Sequence, residues 1–385
     1  MRNNIICLTL LLFILAGCIE PYHGKTESID NILVVEGIIT SGTTRITLNR
    51  SVGLDENIYG DAFAVDHAAM YVESEDGTTS RFAYSSGSGI YTIETGELNI
   101  DTKYRLVIQV DGEEYQSSFL TPAISPPLDV SFTSDENNIH VCVTTRGYEH
   151  QPGYYMWSYK EDWEIHAPVY GDSVRIGEKI VYNDLNSSNN MYYCWKKDSS
   201  KILILGTTEK LIENTIQEQK IQTFSRTDYR SSVLYRVQVK QNTIHKEAYD
   251  FYYNLQKNNE QTGSIFGAIP SEIMGNIRCA TNADIPVIGY VDVSTTSTDE
   301  KYLTNEFYDL NYGYRQYHNC TLDTIIYRQK DWAPLKRVDM PYFFYMFDPD
   351  NKRLEIMIIG GCVDCTGSRL SGTKRKPEDW PNNHQ

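Results

Sequence analysis

Histidines are few in this sequence, and none is placed as a hydrolytic metal site requires. Its 385 residues include eight histidines, spread singly, and no His-Glu-x-x-His motif occurs. The sequence also lacks a Gly-x-Ser-x-Gly nucleophile motif and a glycine-rich loop of the kind that holds phosphate. From these absences we predict no catalytic residue, no metal site and no cofactor, and we expect a protein that is not an enzyme.

Positive charge is also scarce. Lysine and arginine total 35 against 51 aspartates and glutamates, which gives a formal net charge of −16 at pH 7. Such a surface repels polyanions over long distances, so we exclude nucleic acid as a partner. The hydrophobic content of 41% is nevertheless sufficient for sizeable cores.

The N-terminal residues follow the pattern of a lipoprotein signal. A basic Arg2 precedes an apolar run over residues 5–15, and Ala16 and Gly17 lead directly to Cys18. The run is too short to cross a bilayer core of about 30 Å. We predict that residues 1–17 are removed and that Cys18 carries lipid, so that membrane lipid is a partner through this cysteine. The alternative is an ordinary signal peptide with an incidental cysteine.

Beyond a polar tether over residues 18–31, residues 32–122 have the pattern of an all-β domain. Short alternating segments are separated by Asp-Gly pairs at 76–77 and 111–112, which indicate hairpins because glycine adopts the positive φ of primed turns. About seven short strands over some 90 residues favour an immunoglobulin-like β-sandwich. Tyr104 is placed either as the tyrosine of an immunoglobulin-like corner or as a core residue.

Three prolines within residues 121–127 mark the end of this domain, because proline cannot donate to a sheet. We predict a larger β-rich domain over residues 127–366. It has one amphipathic helix near 243–257, where Thr243 is placed to cap the first turn. Residues 367–385 are predicted to be a polar tail. The predicted fold is thus mainly β, an N-terminal immunoglobulin-like β-sandwich followed by a larger β-rich domain with one amphipathic helix.

Six cysteines besides the lipid carrier are candidates for structural disulfides in an exported chain. They are Cys142, Cys194, Cys279, Cys320, Cys362 and Cys365. The sequence does not choose among their pairings, although a bond from Cys320 to Cys362 or Cys365 would fix the C-terminal tail. Free thiols, a metal site and redox catalysis are the weaker alternatives. Redox catalysis is the weakest, since a helix is not expected after Cys362.

Alternate aromatic residues occupy one predicted strand over residues 154–165. Side chains alternate across a strand, so one face should carry four rings. They are Tyr155, Trp157, Tyr159 and Trp163. Such a face can stack on sugar rings, but we favour the interpretation that it forms the core of a sandwich.

Four stretches together resemble one family. They are Leu33-Val34-Val35-Glu36-Gly37 after Cys18, Tyr193-Cys194-Trp195, the segment 263–290, and Cys362-Val363-Asp364-Cys365-Thr366. In their order and spacing they resemble the Bacteroidota outer-membrane lipoproteins that carry domain of unknown function 4249. The resemblance implies a lipid-anchored protein of the outer membrane, facing the cell surface, with a TonB-dependent transporter as its partner. It brings no catalytic residues.

We therefore expect a surface-anchored accessory lipoprotein that partners a TonB-dependent transporter in ligand capture or receptor assembly. One alternative is a glycan-binding surface module that uses the aromatic face. The other is a hydrolase of surface polymers, which requires a cleft with paired carboxylates or a nucleophile beside a base.

Overall fold

The computed structural model describes residues 31–51, 63–148, 151–171, 173–176, 179–182, 191–261, 275–309, 322–325, 342–347, 353–358, 360–367 and 370–381. The strands are β1 (Leu33–Ile39), β2 (Gly42–Arg50), β3 (Ala69–Ser74), β4 (Ile90–Gly96), β5 (Tyr104–Val110), β6 (Glu113–Ser117), β7 (Leu128–Ser134), β8 (Asn138–Arg146), β9 (Tyr154–His166), β10 (Ser173–Ile176), β11 (Lys179–Tyr182), β12 (Tyr193–Ser199), β13 (Ile204–Thr207), β14 (Thr215–Ser225), β15 (Leu234–Thr243), β16 (Ile277–Cys279), β17 (Val287–Val293), β18 (Thr296–Thr304), β19 (Leu322–Ile325), β20 (Tyr342–Phe347) and β21 (Arg353–Ile358). The helices are α1 (Lys246–Gln261) and the single turn α2 (Gly360–Val363), with 3-10 turns at Tyr229–Ser231 and Asn305–Phe307.

Two four-stranded sheets form the first sandwich, with strand orders β17-β1-β2-β4 and β16-β6-β5-β3. Alternate residues of each strand enter the space between them, so Ile46 and Leu48 of β2 are fully buried while Arg45 is exposed. Met70 and Ile108 belong to the same core. The chain is mainly β, and this first unit is an immunoglobulin-like β-sandwich, as predicted.

The structure confirms the hairpin at 111–112, and Tyr104 has both of the roles left open for it, since its ring also packs against the first core. Asp111 and Gly112 both have positive φ, 54° and 82°, and join β5 to β6 in a tight hairpin. The hydroxyl of Tyr104 accepts the backbone N–H of Asn99 at 2.9 Å, which is the hydrogen bond of an immunoglobulin-like tyrosine corner.

The predicted domain boundary is wrong for one later segment. Residues 277–293, assigned to the second domain, supply β16 and β17 to the first sandwich. β17 pairs in parallel with β1 from Leu33↔Val287 to Ile39↔Val293. Parallel pairing requires a long crossover connection, and here the crossover contains most of the second sandwich. The chain then returns beside the first linker, where Ala123 pairs with Ser294.

The second sandwich packs the sheet β14-β8-β7 against the sheet β12-β9-β15-β18, with β13 paired to the start of β9. We call the larger sheet the β9 sheet. A separate five-stranded sheet has the order β11-β10-β20-β21-β19. In this sheet β20 and β21 pair antiparallel from Tyr342↔Ile358 to Phe347↔Arg353.

Helix α1 lies at the junction of the two sandwiches. Ala248, Phe251 and Tyr252 pack with Tyr290 of β17 and Tyr154 of β9, so one apolar stripe contacts both units. The helix begins later than predicted, because Thr243 is the last residue of β15 and does not cap it. Its hydroxyl is buried and has no hydrogen-bond partner in the described part of the chain.

The predicted signal peptide, Cys18 and nearly all of the tether lie outside the described residues, and so does Cys320. Among the helices that the structure describes, none is long and apolar enough to span a membrane.

Candidate functional site

The four aromatic residues form core, which is the interpretation that we favoured over ligand stacking. Tyr155, Trp157, Tyr159 and Trp163 are between 1% and 7% exposed and belong to the core of the second sandwich. Burial raises the pKa of Tyr155 and of Tyr159 to about 12. The indole N–H of Trp157 donates to Gln241 at 2.8 Å, which satisfies its polar group inside the core. The stacking role is therefore wrong, and the alternation that placed the rings on one face was correct.

The cysteines divide into bonded and free. Cys194 on β12 is bonded to Cys365, and Cys362 is also disulfide-bonded. A bond between Cys320 and Cys365 is therefore ruled out. Cys142 and Cys279 are buried free thiols, so their prediction as disulfide partners is wrong. They lie on β8 and β16, in sheets of different sandwiches, where neither faces a partner cysteine.

The predicted polar tail is in fact a packed segment. We call residues 370–381 the C-terminal strap, and it crosses the outer face of the β9 sheet just after the Cys194–Cys365 disulfide. Thr373 forms a backbone bridge with Trp195 of β12. The side chain of Lys196 donates to the carbonyl of Leu370 at 2.9 Å.

Trp380 anchors the far end of the strap. It is 4% exposed and packs with Trp195 and Leu234. Its indole N–H donates to the buried carboxylate of Glu164 at 2.9 Å, and His166 contacts the other oxygen of that carboxylate at 2.7 Å. A single tryptophan thus supplies both apolar burial and a partner for a buried charge.

Beside the strap, the β9 sheet forms a groove of about 450 Å³, which we call the strap groove. The register of three strands brings its charged residues side by side. Lys197 of β12 lies opposite Asp162 of β9, and Asp162 lies opposite Arg236 of β15. Its basic lining residues are Lys160, Lys196, Lys197, Arg236, Arg375 and Lys376. Its acidic lining residues are Asp162, Glu300, Glu378 and Asp379.

Part of this charge is neutralised within the groove. Arg236 pairs with Asp162 at 2.7 Å and lies 5.4 Å from the ring centre of Trp380. Glu300 accepts a hydrogen bond from Tyr302 at 2.9 Å. These contacts fix the floor of the groove and hold the strap against it. Within the described ranges, no group of three His, Cys, Asp or Glu side chains is arranged to hold a metal ion.

A buried ionic centre lies on the inner face of the same sheet. Glu161 is 1% exposed, accepts the hydroxyl of Tyr235 at 2.7 Å and pairs with Arg230 at 3.0 Å. Burial is the main cause that raises the pKa of the Glu161 carboxyl. The guanidinium of Arg230 lies over the rings of Trp163 and Phe224. These contacts compensate a charge inside the core and give no open cleft for a substrate.

A second surface feature is an exposed apolar patch beside α1. We call it the junction patch, and it consists of Tyr148, Ile202, Leu211, Ile212 and Tyr253, all at least 45% exposed.

A few contacts connect α1 with the loops that carry the other members of the junction patch. Glu209, in the loop that carries Leu211, pairs with Lys246 of the helix at 3.2 Å. Asn214, in the same loop, donates to the carbonyl of Tyr148. Tyr253 stacks on Tyr249, whose cluster also contains Leu203.

Comparison with known proteins gives a family and a distant structural likeness. A search of curated proteins finds no match. Among solved structures, a two-domain fibronectin type-III segment of chicken tenascin matches with 12% identity, covering 56% of this chain and 90% of its own. Its TM-score is 0.17. The fold assignment therefore rests on the strand pairing within this chain. The family model for the domain of unknown function DUF4249 matches residues 19–300. The chain belongs to the DUF4249 family.

Proposed function

We propose that this protein is an accessory lipoprotein of the bacterial outer membrane that partners a TonB-dependent transporter. In this proposal Cys18 carries lipid, the folded part lies at the cell surface, and the protein takes part in ligand capture or receptor assembly without catalysing a reaction. The observation that supports it best is the junction patch, because large exposed apolar patches mark surfaces that contact other proteins.

In this proposal, β1 leads from the anchored end of the chain toward the junction, where the patch lies. The chain enters the first sandwich at Leu33, and β1 ends at Ile39, whose carbonyl accepts the N–H of Ser294 at the junction. Seven residues of strand span about 23 Å. The tether between Cys18 and the first strand extends by at most about 50 Å. An anchored molecule can therefore present the junction patch to the outer surface of a transporter in the same membrane.

The first test is recovery of the partner. Tagged protein solubilised from outer membranes in mild detergent should co-purify with a β-barrel transporter. Ile212→Asp combined with Leu211→Asp should abolish that recovery by placing two charges in the patch. Ile100→Asp is the matched control, because Ile100 and Leu211 are both 49% exposed and Ile100 lies in the first sandwich. Recovery of the wild type without any β-barrel partner would contradict the proposed partnership.

The second test concerns the anchor. Cys18→Ala should release the protein from envelopes during a carbonate wash, because the lipid attachment is lost. A Cys18→Ala variant that still sediments with envelopes would contradict lipid anchoring through this residue.

A further inference from the structure

Three of the six basic residues that line the strap groove lack an acidic partner among the described residues. Lys160, Lys197 and Arg375 form no ion pair with any residue that the structure describes, whereas Asp162 is already paired with Arg236. The groove has six basic and four acidic lining residues in a chain whose net charge is −16. This local excess of positive charge runs against the composition of the whole chain and favours an anionic ligand.

Two lysines on the floor of the β9 sheet repel each other. Lys160 of β9 lies opposite Gln238 of β15, so Lys240 is its diagonal neighbour on the same face. Burial lowers the pKa of Lys240, and the charge of Lys160 lowers it further. Like charges on adjacent strands are destabilising, and an anion bound between them would remove that cost.

The groove also contains an indole N–H without an acceptor. Trp195 lines the groove and is 9% exposed, and its Nε1 has no hydrogen-bond partner among the described residues. A buried donor without a partner costs free energy, so an acceptor oxygen supplied by a ligand would be stabilising. The nitrogen is itself buried, and Thr373 and Trp380 of the strap contact Trp195, so we infer that the ligand displaces part of the strap to reach it.

We propose that the strap groove is a binding site for a small organic polyanion with at least two carboxylate or phosphate groups. Lys160 binds one anionic group, Lys197 and Arg375 bind another, and Trp195 donates to an oxygen of the ligand. The volume of about 450 Å³ lies within the range of small-molecule sites. This site is independent of the transporter partnership, because it is formed entirely by the β9 sheet and the strap.

The experiment is calorimetric titration of the full chain with citrate and, separately, with pyrophosphate. Triethyl citrate is the neutral control ligand. We expect saturable 1:1 binding of citrate, pyrophosphate or both, no binding of triethyl citrate, and weaker binding at high salt. Binding of citrate alone identifies a carboxylate site, and binding of pyrophosphate alone identifies a phosphate site. Failure of both anions to bind at low salt overturns the proposal.

Matched variants locate the binding. Lys160→Gln with Lys197→Gln should weaken binding about tenfold, because two charge-assisted contacts are lost. Lys103→Gln with Lys210→Gln removes the same charge outside the groove and should leave the affinity unchanged. Trp195→Phe should weaken binding about threefold through loss of one hydrogen bond. The Lys160→Gln, Lys197→Gln variant must also keep the unfolding midpoint of the wild type. If that folded variant binds the anion with wild-type affinity, the anion binds elsewhere and this site is refuted.

Discussion

The two sandwiches bury different kinds of polar group. Among the described residues, the strands of the first sandwich and the turn after β1 bury the hydroxyls of Thr40, Thr44, Ser74 and Ser117, and one carboxylate, Asp292, at the junction end. The second sandwich buries Glu161 and Glu164 in a single strand. It also contains the Cys194–Cys365 disulfide. Stability that comes from apolar burial is spread over many residues, whereas stability that depends on paired charges and a crosslink fails when one partner is removed. The second sandwich should therefore be the more sensitive to single changes.

Tryptophan fluorescence can separate the two units experimentally. The five tryptophans of the chain all lie between residues 157 and 380, and the four that are described belong to the second sandwich or its strap. Fluorescence in a denaturant series therefore follows the second sandwich, while far-ultraviolet circular dichroism follows both.

The largest effect is expected from removing the disulfide. Cys194→Ala with Cys365→Ala should lower the free energy of unfolding by about 4 kcal/mol, since the bond closes a long loop of 171 residues. The fluorescence transition should move to lower denaturant. Cys142→Ala with Cys279→Ala, which removes two buried free thiols, is the control and should cost less than half as much. Equal losses of unfolding free energy in the two double variants would show that the disulfide does not make the second sandwich more sensitive than the first.

The next largest effect is expected at the buried ionic centre. Arg230→Met leaves the Glu161 carboxylate in the core without its cation and should cost about 3 kcal/mol. Arg105→Met is the comparison in the first sandwich, where Arg105 pairs with Glu73 on a partly exposed surface and should contribute about 1 kcal/mol or less. If the two variants are destabilised equally in denaturant unfolding, the contrast between distributed and localised stability is wrong.

A comparable effect is expected from the strap. Trp380→Ala removes packing on Trp195 and Leu234 and leaves Glu164 with one fewer hydrogen bond, at a cost of about 3 kcal/mol. Amide exchange of Thr373, whose N–H donates to the Trp195 carbonyl, should accelerate because the strap is released. Exchange in β5, in the first sandwich, should be unchanged. Protection of Thr373 equal to the wild type would mean that Trp380 does not hold the strap.

Most strands of the first sandwich could be predicted because their signals are local. Alternating segments and Asp-Gly turns indicate these strands, and the turn at 111–112 joins β5 to β6 as expected. Its last two strands could not be assigned in this way, since the pairing of β17 with β1 joins residues 33 and 287. Periodicity describes a strand and does not reveal its partner.

In the second sandwich, two strands escaped prediction for physical reasons. β14 has two register shifts, which place its buried Ile216, Ile221 and Phe224 at uneven spacing and destroy the alternation. β18 is an edge strand whose first six residues are all polar, so it lacks alternation, although its Asp299 accepts the N–H of Val130 at 2.8 Å.

The strap groove could not be predicted either. Its basic residues lie on three strands and the C-terminal segment, and only strand register brings them together. The one signal in the sequence was Trp380, a large apolar residue in an otherwise polar tail, which indicates a docked segment.

The smallest effect concerns pH and the junction, where the first sandwich buries the carboxylate of Asp292. Asp292 is fully buried and accepts both the backbone N–H of His245 at 2.8 Å and a ring N–H at 2.6 Å. This hydrogen bond to Asp292 raises the pKa of His245 despite burial, and the charges of Asp292 and Glu247 raise it further.

A group with a raised pKa in the folded state stabilises the fold fully below its unfolded pKa of about 6.5, and this contribution is lost as pH rises through the folded pKa. Denaturant unfolding should therefore show stability falling above about pH 6.5 in the wild type. His245→Gln should flatten that part of the profile, because glutamine can still donate to Asp292 but does not titrate. A His245→Gln profile parallel to the wild type would assign the pH dependence to other groups. It would also leave Asp292 as a helix-capping carboxylate whose role does not depend on the charge of its neighbour.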